Sequence, residues 1–387
     1  MCAQAPSLVC PPARPVRACP GSWLERKGDT SMPKCTSKRT RVVIGGVDTH
    51  GRTHHAAVID QQGRLLGDRE FPADSGGYRQ LLGWLGRHGQ LEAVGVEGSG
   101  SYGAGLTRLL LDRGVNVVEV DRPDRRTRRQ RGKSDPIDAE AAARAVLAGV
   151  ATAPAKRRDG IVEAIRALRA ARRGAIKART AAINQLKGLL VTAPASVREG
   201  LDALPRAALV VTCARLRPDE AALDDPVQGV KAALRAVACR IHQLDEELSQ
   251  ADQRLAALVG RAAPRLLKLH AIGVDHAGQL LTTAGQRPER LRGEAAFAHL
   301  CGAAPIPASS GKTHRHRLHR GGDRDANRAL HLAVVVRMRW CPRTRAYAER
   351  RTKQGRSKPE ILRCVKRYLA REVYHALVAD FEALNAT

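Results

Sequence analysis

Val42-Val43-Ile44-Gly45-Gly46-Val47-Asp48 is followed by His55-Ala56-Ala57-Val58-Ile59-Asp60 and, after the turn Gln61-Gln62-Gly63-Arg64, by Leu65 to Phe71. Three apolar, β-branched runs separated by turn residues predict an antiparallel meander. Downstream, Tyr78, Leu81, Leu82 and Leu85 recur at i, i+3, i+4 and i+7, the period of a helix with one buried face. Ala93-Val94-Gly95-Val96 is a buried strand ending at Glu97, residues 102–113 form a helix, and Val115 to Val120 form a fifth strand. An alanine-rich helix then covers Ala141 to Ala148.

Three antiparallel strands followed by β-α-β-α units give an α/β, ribonuclease-H-like (RuvC-like) domain. In that layout metal carboxylates lie at the middle of strand one, the end of strand four and the last helix. Those places hold Asp48, Glu97 and the pair in Lys133-Ser134-Asp135-Pro136-Ile137-Asp138-Ala139-Glu140. Carboxylates three apart at a helix start share one face. Taken alone, the pair reads as a helix cap, with Asp135 at N-cap, Pro136 at N1 and Asp138 at N3. An acid at every expected place turns the reading toward a metal site. Hard carboxylate oxygens suit Mg2+, or Mn2+, and not zinc. Glu140, one turn on, faces solvent, and Asp121 and Asp124 pair with neighbouring arginines.

The chain of 387 residues has room for two or three cores, and 43% hydrophobic content is that of a folded protein. Its net charge of +28 attracts polyanions, and no apolar run approaches the roughly 20 residues of a membrane span. Nucleic acid, specifically double-stranded DNA, is the expected partner, bound with steep salt dependence. Aromatics make up only 3%, too few for a surface that stacks successive bases, so contacts fall mainly on phosphate and sugar. The nine cysteines contain no C-x2-C pair, which argues against zinc knuckles and for reduced thiols in a cytoplasmic, nucleoid-associated protein. Residues 1–40 hold prolines, cysteines and basic residues without periodicity and read as a disordered extension, with Met32 as an alternative start.

Beyond a RuvC-like domain over 41–155, residues 156–263 read as a helical, coiled-coil middle. Its first part carries the stripe Ile165, Leu168, Ile176, Ile183, Leu186 and Leu190. Its second carries Val230, Leu234, Val237, Ile241, Leu244, Leu248, Ala251, Leu255 and Leu258, whose steps of four and three make a heptad seam. That seam packs either on the first stripe or on a second copy. Residues 264–387 form a mainly α-helical C-terminal domain. It opens with Leu269-His270-Ala271-Ile272-Gly273-Val274-Asp275, a turn of helix-hairpin-helix type. It closes with helices over Asn327 to Met338 and Pro359 to Leu384, in which Ile361, Val365, Leu369, Val373 and Leu377 face inward.

Arg122, Arg125, Arg126, Arg128, Arg129, Arg131 and Lys133 lead into the acidic pair and are candidates for tracking phosphates. A second basic group, Lys312, Arg315, Arg317, Arg320 and Arg324, follows the loop Ala308-Ser309-Ser310-Gly311. Serines in such loops usually do turn work, and a nucleophile needs activation and charge-neutralising neighbours. Three functions stay open on the residues alone: a serine recombinase, a RuvC-like junction nuclease using water, and a non-catalytic nucleic-acid-binding protein.

Gly46-Val47-Asp48-Thr49-His50, Gly95-Val96-Glu97-Gly98-Ser99-Gly100-Ser101-Tyr102 and Lys133-Ser134-Asp135-Pro136-Ile137-Asp138-Ala139 resemble the N-terminal motifs of the DEDD insertion-sequence transposases, the family numbered one hundred and ten, relatives of the Piv invertases. The Ile-Gly turn, the Ser-Ser-Gly loop and Arg320-Gly321-Gly322-Asp323-Arg324 resemble its C-terminal transposase domain. The resemblance implies a transposase with a Mg2+-binding site at Asp48, Glu97, Asp135 and Asp138. It also implies a nucleophile at Ser310 that forms a 5'-phosphoserine link to DNA. It further implies a homo-oligomer, dimer or tetramer, in which one subunit's acids meet another's serine, and a structured bridge RNA as guide. The N-terminal extension and the histidines after Lys312 depart from the family pattern.

Overall fold

The computed structural model describes residues 41–120, 134–286, 291–312 and 315–386. The expectation of a disordered extension and the arginine run from Arg122 to Lys133, with Asp121 and Asp124, lie outside these.

The meander forms as the sequence predicts. Strands β1 (Val42–Thr49), β2 (Thr53–Asp60) and β3 (Leu65–Pro72) pair antiparallel, with Val47 opposite Ala56 and Ala57 opposite Asp68. Asp60 fixes the second turn by accepting the Gln62 and Arg64 amides at 3.0 and 2.9 Å. Helix α1 (Ser75–Arg87) begins at Asp74, whose carboxylate accepts the Gly77 amide at 2.7 Å. Strand β4 (Gln90–Glu97), helix α2 (Ala104–Asp112) and strand β5 (Val117–Val120) follow, β5 starting two residues later than predicted. Strands β4 and β5 run parallel to β1, and β6 (Ala153–Pro154), not foreseen from its two residues, closes the edge antiparallel to β5. The strand order β3-β2-β1-β4-β5-β6 makes a mixed sheet consistent with a ribonuclease-H-like domain.

Helix α3 (Asp135–Leu147) is one element, starting before the alanine run. Ser134, and not Asp135, is its N-cap: Ser134 has extended backbone, and its carbonyl accepts the Asp138 amide at 3.0 Å. Asp135 is therefore the first helical residue, Pro136 the second and Asp138 the fourth. The shift leaves both acids on one face.

The sheet accepts α3 because two glycines stand side by side. Gly46 on β1 pairs with Gly95 on β4. A Cβ on Gly46 would lie 2.1 Å from the Ala139 carbonyl oxygen and 2.3 Å from the Ala143 nitrogen, and one on Gly95 2.7 Å from the Ala142 oxygen. Ala139, Ala142 and Ala143 are buried in the contact. Helix backbone thus lies against strand backbone, which larger residues on either side forbid.

Two long helices follow, α4 (Gly160–Val191) and, after α5 (Ala195–Arg198) and α6 (Arg206–Ala214), α7 (Pro226–Ala262). They pack antiparallel within the chain. At one end Ile183, Leu186 and Leu190 meet Leu234, Val237 and Ile241; at the other, Val162 and Ile165 meet Leu255 and Val259. Between these cores the pair is joined by ions, Arg172 to Asp252 at 2.5 Å and Arg179 to Asp245. Ile176, predicted for the buried stripe, is 38% exposed there, and Ala175 beside it is buried in its place.

The C-terminal part is mostly helical. After α8 (Pro264–Leu267), the predicted turn precedes α9 (Val274–Ala284), with Ala271 at φ 67°. Helices α10 (Glu294–Leu300), α11 (Arg324–Trp340), α12 (Pro342–Lys353) and α13 (Lys358–Asn385) complete it. Helix α12 was not predicted because it is almost wholly polar and buries only Thr344. All five residues predicted to face inward on α13 are buried. No described helix is long and apolar enough to cross a membrane.

Replacing Gly46 by Ala is expected to lower the unfolding free energy by about 1–3 kcal/mol or more, the cost of overpacking against backbone. Gly83→Ala on α1, where a Cβ meets nothing within 4 Å, is expected to raise it by about 0.5–1 kcal/mol. Chemical denaturation of the two variants checks both signs.

Candidate active site

Side chains alternate along β1. Val43 and Val47 join the core under α1 and α2, while Ile44 packs with Ala143 of α3. Gly46 and Asp48 therefore share the α3 face. The same holds on β4, where Val94 and Val96 join the first core and Gly95 approaches α3, so Glu97 follows Gly95 onto that face. Because the strands are parallel with Val47 beside Val96, Asp48 and Glu97 leave the sheet as neighbours. Asp48 stands near the end of β1 and not at its middle. Thr49 Oγ1 donates to the Glu97 carbonyl at 2.8 Å and ties the two strand ends together.

Helix α3 brings the other two acids to this end of the sheet. Asp48 and Asp138 are buried, 6% and 3% exposed, and Glu97 is half-buried. Between Asp48 and Asp135 stands His50, its Nε2 3.1 Å from Asp48 Oδ2 and 3.3 Å from Asp135 Oδ1. Ligand atoms of Asp48, His50 and Asp135 all lie within 4.8 Å of one another. Two carboxylates and an imidazole that close, beside further buried acid, are compatible with a divalent metal. Glu97 and Asp138 share the face but stand outside this three-residue group. His50 was not singled out in the sequence; the signal was its spacing of two from Asp48, which carries the α3 face past the strand end. Glu140 is held by Arg144 at 2.5 Å.

On the opposite face His54 is fully buried, stacked on Tyr78 with ring centroids 5.4 Å apart. Its Nδ1 lies 3.0 Å from the Thr53 carbonyl. Burial holds its pKa below the ordinary 6.5, and the neighbouring His50 acts in the same direction, against the Thr53 carbonyl and the more distant Asp48.

Ser310 lies elsewhere. A short hairpin, β7 (Ile306–Pro307) and β8 (His316–Arg317), presents Ser309, Ser310, Gly311 and Lys312 at its exposed tip. Its base is clamped by the glycine-rich motif. Gly302 (φ 61°) and Gly322 (φ 83°) touch: a Cβ on Gly302 would lie 2.8 Å from the Gly321 oxygen, and one on Gly322 2.7 Å from the Gly302 nitrogen. Asn327 Nδ2 donates to the Cys301 and Gly302 carbonyls at 2.9 and 2.8 Å. Asp323 caps α11 through the Asp325 and Ala326 amides and accepts Thr283 Oγ1 at 2.7 Å. Thr283 accepts from Gln279, which in turn accepts from the buried Arg169 at 3.0 Å. Among the described residues no hydrogen bond or ion pair joins Ser310 to the acids. Lys312, Arg315, Arg317, Arg320 and Arg324 are exposed around the hairpin and its base.

Residues 45–193 match the family described as transposase, DEDD type of IS110, and residues 263–349 match the transposase family IS116/IS110/IS902. The chain belongs to the IS110 transposase family. The first match takes in all four acids of the DEDD set, and the second takes in the serine hairpin and its clamp. A relative in Streptomyces coelicolor, named "Mini-circle putative transposase for IS117", is 30% identical over 155 residues, which is 38% of this chain and 37% of the relative. That likeness spans little more than a third of either chain.

A histidine held neutral by burial weakens the fold when it must charge. Stability contributed by neutral His54 is complete above the ordinary pKa of 6.5 and is lost as pH falls from there through the lower folded value. The unfolding free energy is expected to drop between pH 7 and pH 5. His54→Phe, which keeps the ring against Tyr78, is expected to flatten that slope in denaturation curves taken across the range.

Proposed function

We propose that this protein is a DNA transposase and recombinase that cuts and rejoins strands for insertion-sequence movement, using Ser310 as nucleophile. Ser310 Oγ forms a bond to a DNA phosphorus as the bond to the 3'-oxygen breaks. The departing 3'-oxygen takes up a proton in place of the one the serine gives up and ends as a 3'-hydroxyl, and the other strand is held as a 5'-phosphoserine. Attack by the 3'-hydroxyl of a second strand reverses the step and restores Ser310. No phosphodiester energy is lost, so no external cofactor drives rejoining.

Asp48, Glu97, Asp135 and Asp138, with His50 beside them, would hold Mg2+ or Mn2+. When bound, such an ion supplies charge neutralisation at a phosphate. The observation that carries the reading is the repeated Gly-x-acid on adjacent parallel strands, Gly46-Val47-Asp48 beside Gly95-Val96-Glu97, facing two acids on α3. His50 Nε2 stands between Asp48 Oδ2 and Asp135 Oδ1, at 3.1 and 3.3 Å, where it would serve as a further ligand atom for the ion. The buried position of Asp138 fixes its direction.

The serine tip and the acids sit on separate elements, which supports a homo-oligomer, dimer or tetramer, whose composite site takes acids from one subunit and serine from another. The net charge of +28 with few aromatic residues supports binding of double-stranded DNA through phosphates. It also suits a structured guide RNA supplying sequence choice by base pairing. Ser310 is exposed and no base among the described residues bonds its hydroxyl, which favours one competing reading, a RuvC-like nuclease in which water attacks.

Incubation of the full chain with Mg2+, the element's own flanking transcript and supercoiled DNA carrying its ends, followed by denaturing electrophoresis, separates these. Protein-linked DNA is expected from the wild type and from Ser309→Ala. None is expected from Ser310→Ala or Asp138→Asn, both with unchanged melting temperature within about 2–4 °C. Free 3' and 5' ends without a protein-linked species, undiminished in Ser310→Ala, would establish the nuclease instead.

A further inference from the structure

At the base of the serine hairpin, on the side away from its tip, lies a cavity of about 470 Å³, walled by residues 302–305, by β8 and its flanks, and by the first half of α13. Its volume falls within the range of small-molecule sites, roughly 300–1,000 Å³. Ala303, Ala304 and Ile361 make an apolar floor, and all three are buried. Leu318 and Tyr368 stand at the walls, 49% and 53% exposed. The Tyr368 ring is fixed edge-on against Tyr347, with centroids 5.7 Å apart.

The polar side of the cavity is cationic. Arg315, Arg317 and Arg363 line it, and none makes an ion pair among the described residues. Lys366 is the decisive group. It is only 6% exposed, and its Nζ donates to Asn327 Oδ1 at 3.1 Å. An ammonium carries three donors, and no carboxylate among the described residues lies within ion-pair distance of this one. Glu360, the acid among the lining residues, is committed to the start of α13, accepting the Ser357 amide at 3.0 Å and its hydroxyl at 2.8 Å. Burial and the adjacent Arg363 both push the Lys366 pKa down. A buried cation without a counter-charge is costly, and an anion entering the cavity removes that cost.

We infer that this cavity is a binding site for one unpaired nucleotide of the nucleic acid that the protein handles, its phosphate on Lys366 and Arg363 and its base between Leu318 and Tyr368. The inference rests on the nucleic-acid reading above. A recess with an apolar floor does not admit a base that is stacked and paired, so the ligand is a nucleotide at a strand end, a bulge or an opened step. One aromatic ring serves a single base, which fits a chain with few aromatics. Lys366 also connects the ligand to the serine. Its partner Asn327 is the side chain that clamps the hairpin base through Cys301 and Gly302. A phosphate that fixes Lys366 fixes Asn327, and so steadies the hairpin whose tip bears Ser310.

Cross-linking of the full chain without Mg2+ tests this. The probes are single strands of about 12 nucleotides, within the range such sites take, in DNA and RNA forms, each with one 5-iodouracil. Irradiation followed by peptide mass spectrometry is expected to place the cross-link at Tyr368 in one or both forms, and the form that reacts identifies the source of the nucleotide. Lys366→Met is expected to lose that cross-link, weaken binding about 5–10-fold and reduce the logarithmic salt slope by about 0.7. Because it removes a buried unpaired charge, it is also expected to raise the melting temperature of the free protein. Tyr368→Ala, on an exposed ring, repeats the binding test should Lys366→Met not fold. Cross-links confined to other segments in both forms, or affinity unchanged in both variants, would overturn the inference. Cross-linking here with no protein-linked DNA in the strand-transfer assay would keep the nucleotide site and remove the recombinase reading; the reverse result would do the opposite.

Discussion

The contact between α3 and the paired glycines of β1 and β4 sets everything near the acids. Helix backbone rests on strand backbone at Gly46 and Gly95, with Ala139, Ala142 and Ala143 buried in the contact. Such a contact has little room to slide or tilt, because interiors this close-packed lack the side-chain slack that lets helices shift. The positions of Asp135 and Asp138 relative to Asp48 and Glu97 are therefore decided by main-chain geometry. His50 adds a side-chain link between Asp48 and Asp135 just past the end of β1.

The serine hairpin is held by a different device. Its base depends on two glycines in the left-handed region that touch each other, on Asn327, and on a chain of hydrogen bonds running from the buried Arg169, Gln279 and Thr283 to Asp323. Its tip, at Ser309 to Lys312, is exposed. The acids are thus set by main-chain packing, and the serine hairpin by hydrogen bonds at its base.

Much of this was legible in the sequence. The meander followed from turn residues between β-branched runs, and the acids from their places in that layout. The interior face of α13 followed from its period. What the sequence hid has identifiable causes. The cap of α3 moved by one residue because Ser134 supplies the extended backbone that precedes Asp135. Strand β6 is two residues long and carries no pattern. Helix α12 has no apolar stripe, since its helicity comes from propensity and from its position between two packed helices. Ile176 fits the apolar stripe of α4 yet is exposed, because the α4–α7 pair is apolar at its ends and ionic in its middle. His50 and Lys366 are lone residues by sequence and gain meaning only from what folding places beside them.

The antiparallel pair of α4 and α7 carries a mechanical consequence. Helix α4 leaves the sheet region just after β6, and its first turns are embedded in the C-terminal core through Val162 and Ile165. Over 32 residues it runs for about 48 Å. With its near end gripped on two sides and its far end stiffened by a separate apolar core, it is a lever arm: a tilt of about 5° at the root displaces the far tip by about 4 Å. Any force applied at that tip is returned, reduced in travel and increased in strength, to the C-terminal core in which the root of the helix is embedded.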